Sequence, residues 1–141
     1  MGYKYVGIDA SQELLKIARQ TASAAQFLYS TVYDMPFEKE TFDAFTSWAM
    51  LPHVSKDRID EALRSIRRVL KPEAVGFMAM REGEGEKQEA ETGRWFSHYS
   101  HEEFEKILQR NGFVVEQKGK RPSRVNLVWL TFFVRLKGNL S

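Results

Sequence analysis

Seven consecutive residues, Ala74-Val75-Gly76-Phe77-Met78-Ala79-Met80, carry no polar side chain. A strand with one face in water alternates apolar and polar residues, so an unbroken run of this length predicts a strand covered on both faces. The segment before it has helical spacing. Ile59, Ala62, Leu63, Ile66, Val69 and Leu70 share one face, Ser55 is the expected cap, and Lys71-Pro72 is the expected stop.

Strand and helix signals alternate along the rest of the chain. Tyr3 to Asp9 reads as a strand ending in an acid. Ser11 is placed to cap a helix with Glu13 in its first turn and Leu14, Leu15, Ala18 and Ala22 on one face. Gln26 to Thr31 reads as a second strand, broken at Asp34-Met35-Pro36-Phe37 because Pro36 disfavours the helical region at Met35. The stretch 34–41 has room for a one-turn crossover helix. Thr41 to Ala49 reads as a third strand, ended by Pro52.

Glu82 to Glu91 holds five glutamates and reads as a solvated loop. Ser100-His101-Glu102-Glu103 is a capping box, with Phe104, Ile107 and Leu108 as the buried stripe and Gly112 past the helix end. Phe113 to Lys118 and Leu127 to Leu136 read as strands. The short link between them, 119–124, favours an antiparallel pair. The expected fold is therefore an α/β sheet, mostly parallel, with an antiparallel C-terminal strand pair.

Composition narrows the chemistry. The 141 residues carry 21 Lys+Arg and 19 Asp+Glu, a net charge of +2, which gives no case for a nucleic-acid partner. With no cysteine, a disulfide framework, a thiolate metal site and a cysteine nucleophile are excluded. The longest apolar run, Leu127 to Val134, is far short of the roughly 20 residues that span a bilayer. Met1 to Val6 resembles no signal segment, so a cytoplasmic protein with no membrane partner is expected. A chain of this size buries roughly two thirds of its surface, enough for one core and one domain, 1–141.

In open α/β sheets, ligands bind beyond the carboxyl ends of the strands. Asp9 stands there, where a carboxylate can accept from a ribose diol or simply serve a turn. Asp34 can accept from an exocyclic amine or form the turn before Met35-Pro36. Ser47 and Trp48 end the third strand, and the Trp48 indole can wall off a flat ring or fill a core. His53 suits a general base at neutral pH, or a helix cap.

Other clusters carry less. Gly83-Glu84-Gly85 is flanked by glutamates that repel phosphate, which rejects a phosphate loop. His98 and His101 lack a convincing third ligand, so no metal is assigned. Lys118, Lys120, Arg121 and Arg124 make a basic turn that reads as solvated.

Four segments in order resemble the Rossmann-like S-adenosylmethionine-dependent methyltransferases, in the branch that includes the ubiquinone/menaquinone-biosynthesis type. They are Val6-Gly7-Ile8-Asp9-Ala10-Ser11; Asp34-Met35-Pro36-Phe37 with Thr41-Phe42-Asp43; Arg68-Val69-Leu70-Lys71-Pro72; and Tyr99-Ser100-His101-Glu102-Glu103-Phe104 with Asn111-Gly112-Phe113. The resemblance implies S-adenosylmethionine as cofactor. Asp9 would take the ribose hydroxyls, with Ala10 and Ser11 beside the adenosine. Asp34 would approach the adenine amine, with Met35 beside the ring. Ser47 and Trp48 would line the pocket near the methionine part. His53 and the 91–99 loop, with Trp95 and Tyr99, would face a small-molecule methyl acceptor. No catalytic residue is assigned, because methyl transfer rests mainly on positioning.

Two departures stand out. The family usually continues Lys-Pro with Gly-Gly, where this chain has Glu73-Ala74. It also opens with a strand, a glycine-rich loop around the methionine end of the cofactor, and a helix. That βα unit is missing before Asp9. The missing strand belongs at the centre of the sheet, between the strands ending at Asp9 and Trp48. Either those two strands close on each other, or a second chain, such as a homodimer partner, covers the gap. The expected function is methyl transfer to a small acceptor, impaired in this truncated chain. The alternative is a non-catalytic binding or dimerisation module on the same scaffold.

Overall fold

The computed structural model describes residues 6–9, 16–18, 20, 26–48, 50–123 and 127–138. They fall into two compact units, Met1–Phe37 and Glu38–Ser141.

In the first unit, β1 (Val6–Asp9) pairs in parallel with β2 (Gln26–Tyr29), from Val6↔Gln26 to Asp9↔Tyr29. Parallel neighbours need a crossover, and residues 16–18 and 20 within it are helical. Ser11, the expected cap, lies outside the described residues. A 3-10 turn, Val32–Asp34, follows β2 and buries Val32. This turn precedes Pro36, whereas the sequence suggested a turn of helix after Asp34.

The second unit holds β3 (Phe42–Ser47), a 3-10 turn (Leu51–His53), α1 (Ile59–Val69), β4 (Leu70–Glu82), β5 (Glu86–Gln88), β6 (Trp95–Tyr99), α2 (His101–Arg110), β7 (Phe113–Pro122) and β8 (Val128–Leu136). β4 is the axis. One edge pairs antiparallel with β8 along Val75–Arg81, and β8 pairs antiparallel with β7. The other edge takes β3 in parallel at 75–78 and then β6 in parallel at Arg81 and Glu82, with β5 outside β6.

The apolar run forms the core of β4, where Met78, Ala79 and Met80 are fully buried. Gly76 is required by close approach: a Cβ there would stand 2.0 Å from the Phe45 ring, which lies across the glycine from the neighbouring strand. The helices bury the stripes read from the sequence. Ile59, Ala62, Leu63, Ile66 and Val69 are buried on α1, and Phe104, Ile107 and Leu108 on α2. The Phe104 ring meets Phe132 of β8 at 5.3 Å and Tyr99 at 5.0 Å. Ser100 caps α2 by accepting from the Glu103 N–H at 3.1 Å. Gly112 takes a left-handed φ of 87° just beyond it.

Three readings are corrected. Ser55 does not cap α1. Its hydroxyl donates to Asp57 at 2.6 Å, residues 56–58 form a turn, and the helix starts at Ile59 behind Arg58, which makes no side-chain cap bond. The helix does end before Lys71-Pro72, but the strand expected from Ala74 starts earlier, because β4 begins at Leu70. Pro72 is tolerated since β3 pairs with β4 at Leu70 and again only from Val75. The expected loops 82–91 and 91–99 contain β5 and β6, so Trp95 and Tyr99 are strand residues.

Candidate active site

The carboxyl ends of the parallel strands β3, β4 and β6 lie in the second unit, together with the start of β8 and the end of β7. Ser47, the last residue of β3, is buried, and its hydroxyl has no hydrogen-bond partner among the described residues. An unsatisfied buried hydroxyl is costly, so this atom suits a polar ligand group. Trp48 follows and is 46% exposed. Its indole packs 5.0 Å from Phe77 and 6.5 Å from Trp129, and the Arg121 guanidinium lies 5.7 Å from its centroid.

Pro52 shapes the 3-10 turn that presents His53. His53 Nδ1 stands 2.8 Å from the Trp95 carbonyl oxygen, and its ring meets Phe96 at 4.5 Å. A carbonyl oxygen only accepts, so in the neutral ring Nδ1 carries the proton and Nε2 the lone pair. His53 therefore does not act as the helix cap. Glu86 organises the segment beside it. Its Oε1 accepts from the Lys56 N–H at 2.5 Å and the Trp95 indole N–H at 3.2 Å, and lies 3.2 Å from Ser97 Oγ. Trp95 is 40% exposed. Tyr99 is fully buried under Lys56, whose Nζ lies 4.4 Å from the ring centroid, and burial pushes its hydroxyl pKa up.

Arg81, near the end of β4, is placed between Trp129 of β8 and His98 of β6 by strand register. Its guanidinium stacks 3.7 Å from the Phe96 centroid and 5.7 Å from that of Trp129. Burial, then the Arg81 and Lys87 charges, hold the His98 ring below its usual pKa. His101 Nε2 is bonded to the Gly119 carbonyl at 2.8 Å. Among the described residues there is no group of three His, Cys, Asp or Glu side chains able to hold a metal.

The expected adenosine residues lie in the first unit. Asp9 ends β1, where the strand-end rule placed it; its side chain, like the whole of Ala10 and Ser11, lies outside what is described. Asp34 is exposed at the end of its 3-10 turn, with its carbonyl accepting from Ser30 Oγ at 3.2 Å, and Met35 is buried. The structure thus brings together Ser47, Trp48, His53 and Trp95 at one end of one sheet. Sequence reasoning missed Arg81 and Glu86. A cation closing the covered apolar run signals the first, whereas nothing local distinguishes Glu86 from the glutamates around it.

A family model described as "Methyltransferase domain" matches residues 1–78. The chain belongs to the methyltransferase domain family. Solved structures agree on the fold. A methyltransferase described as S-adenosylmethionine-dependent, from Methanosarcina mazei, is 18% identical with a TM-score of 0.83, over 98% of this chain and 84% of its own. The Burkholderia thailandensis 1,6-didemethyltoxoflavin-N1-methyltransferase, with bound 1,6-didemethyltoxoflavin and S-adenosylhomocysteine, is 18% identical with a TM-score of 0.81. That match covers 96% of this chain but only 62% of the Burkholderia chain. The [4+2]-cyclase SpnF is 17% identical with a TM-score of 0.78, over 96% of this chain and 67% of its own. Comparison with curated proteins gives no match. The mixed sheet is the methyltransferase α/β sheet expected from the sequence, and the family's cofactor is S-adenosylmethionine. Among the described residues, no helix is long and apolar enough to cross a membrane.

Proposed function

We propose that this chain is a domain, 1–141, of an S-adenosylmethionine-dependent methyltransferase of the ubiquinone/menaquinone-biosynthesis type, acting on a small-molecule acceptor in the cytoplasm. The observation that carries the reading is the buried, unpartnered Ser47 hydroxyl beside exposed Trp48, at the ligand-binding end of a methyltransferase-family sheet. Support for a small acceptor comes from the Burkholderia relative, whose structure contains one.

Asp9, Ala10, Ser11, Asp34 and Met35 would hold the adenosine half of the cofactor, and Ser47 and Trp48 the methionine half. When bound, the cofactor would supply an electrophilic sulfonium methyl to the acceptor's nitrogen, oxygen or carbon, with its sulfur keeping the electron pair of the broken carbon–sulfur bond. His53 Nε2, the basic nitrogen left by the Trp95 contact, takes the proton the acceptor loses. Trp48 and Trp95 wall the acceptor, and Tyr99 backs the segment that carries Trp95.

The same reading covers the strand gap. Among the described residues β1 pairs with β2 alone, and β3 with β4 alone. Unpaired strand edges need partners, so a second chain, such as a homodimer partner, covers the gap that the resemblance leaves. The glycine-rich loop is not among these residues, so they bind the cofactor weakly and transfer is impaired.

Titration of the 141 residues with S-adenosylhomocysteine by NMR tests this. Saturable binding weaker than about 100 μM, lost in Asp9→Ala, is the expected result. A low-micromolar dissociation constant overturns the impairment, and no binding up to about 10 mM overturns the adenosine half-site.

A further inference from the structure

Arg81 is a charged group at the functional end of the sheet with no ion-pair partner among the described residues. Its side chain makes no salt bridge or hydrogen bond with the described residues, and its Nε is buried without a partner among them. Burial lowers the Arg81 pKa, and the Glu89 charge, which lies beyond ion-pair range, opposes that only in part. Aromatic faces hold the guanidinium instead, with Phe96 at 3.7 Å and Trp129 at 5.7 Å. Stacking fixes the plane of an arginine while leaving its N–H fork unspent, which is the arrangement that suits bidentate recognition of a carboxylate.

The surroundings add shape. Ring contacts run from His53 through Phe96 to Arg81, and on through Trp129 and Trp48 to Arg121. Two half-exposed or partly exposed indoles thus stand between two cations, with the basic nitrogen of His53 at one end. Indole faces favour flat rings, and uncompensated guanidinium groups favour anions.

We propose that this row selects a flat aromatic acceptor carrying a carboxylate or a comparable anionic group, with Arg81 as the anion-recognising residue and Trp48 and Trp129 as stacking walls. The anion is a recognition handle, separate from the atom that is methylated. The proposal rests on the methyl-acceptor reading above, and its test is run without cofactor so that the two fail separately.

The probe pair is 2-naphthoate and its neutral analogue 2-naphthamide, titrated by calorimetry. The indole N–H signals of the three tryptophans, Trp48, Trp95 and Trp129, are followed by NMR. The carboxylate is expected to bind with a dissociation constant of about 1 mM or below, and about tenfold tighter than the amide. The signals of Trp48 and Trp129 should move most, with that of Trp95, whose N–H is tied to Glu86, moving less. Arg81→Gln should erase the preference for the carboxylate, and Arg81→Lys should keep it with weaker affinity. Equal binding of the two probes, no binding of either, or an unchanged preference in folded Arg81→Gln overturns the proposal. The wild-type comparison decides it alone if the variants do not fold. Naphthoate selectivity without any S-adenosylhomocysteine binding would instead remove the adenosine half-site and leave the anion site standing.

Discussion

The Nδ1 nitrogen of His53 lies 2.8 Å from the carbonyl oxygen of Trp95. That contact fixes the tautomer, because the carbonyl has no proton to give. The neutral His53 ring should show the Nδ1–H form in nitrogen NMR spectra. Finding the Nε2–H form would remove the assigned base. His53→Gln can keep a hydrogen bond to Trp95 but cannot take a proton. For an acceptor that must lose one, transfer should fall by about 100-fold with acceptor affinity little changed.

Asp60 of α1 accepts two hydrogen bonds from Arg110 of α2, at 2.8 and 2.7 Å, and a third from Asn111 at 2.7 Å. The Arg110 hydrogen bonds, with help from Asn111 and against partial burial, hold its carboxyl below the usual carboxylate range. A carboxyl depressed in the folded state stabilises the fold above its unfolded pKa, and that contribution is lost as pH falls through the folded value. Asp60→Asn should therefore cost about 0.5–1 kcal/mol near pH 7, a modest figure because the pair is partly exposed. In acid, below the folded pKa, the variant and the wild type should converge. Denaturant melts at neutral pH and near pH 2.5 check this, and a difference that persists in acid would show that the pair acts through packing (about 2.5 being well under the ordinary carboxylate value).

Much of the second unit was legible because its signals are local and energetically dominant. An apolar run of seven residues needs two covering layers, and the Ser100–Glu103 box satisfies its own helix end. The start of α1 was misread because Ser55 finds a closer partner in Asp57 than in any backbone N–H. β5 was invisible for another reason. Glu86, Lys87 and Gln88 are all exposed, so no alternation marks them, and pairing with β6 alone makes the segment a strand. At the site, the strand-end rule found Ser47 and Trp48. It passed over Arg81, whose role depends on two aromatic rings brought in from β6 and β8, far away in sequence.

Glu73 stands where the resembling family has glycine, and its φ is 65°. A side chain in the left-handed region costs roughly 1–2 kcal/mol, which glycine avoids. The backbone is held there, since Arg135 donates to the Glu73 carbonyl at 3.2 Å. Glu73→Gly should stabilise the chain by up to about 1 kcal/mol, the gain being trimmed by the greater freedom of glycine in the unfolded state. A thermal melt showing clear destabilisation would mean that the Glu73 side chain makes contacts outweighing the strain.

Ser47 gives the sharpest separation between stability and function. Its hydroxyl is buried at the end of β3 with no partner, so in the unliganded chain it carries a desolvation cost that nothing offsets. Ser47→Ala removes the cost and leaves little space behind. The variant should be as stable as the wild type or more stable, by up to about 1 kcal/mol, against the usual trend for buried substitutions. If the hydroxyl instead meets a polar group of the cofactor, the same change should weaken S-adenosylhomocysteine binding by about tenfold, the worth of one buried hydrogen bond. Denaturant melts and ligand titration on one pair of proteins read both effects. Lower stability would show that the hydroxyl is already satisfied within the fold, and unchanged binding would show that β3 presents it to nothing.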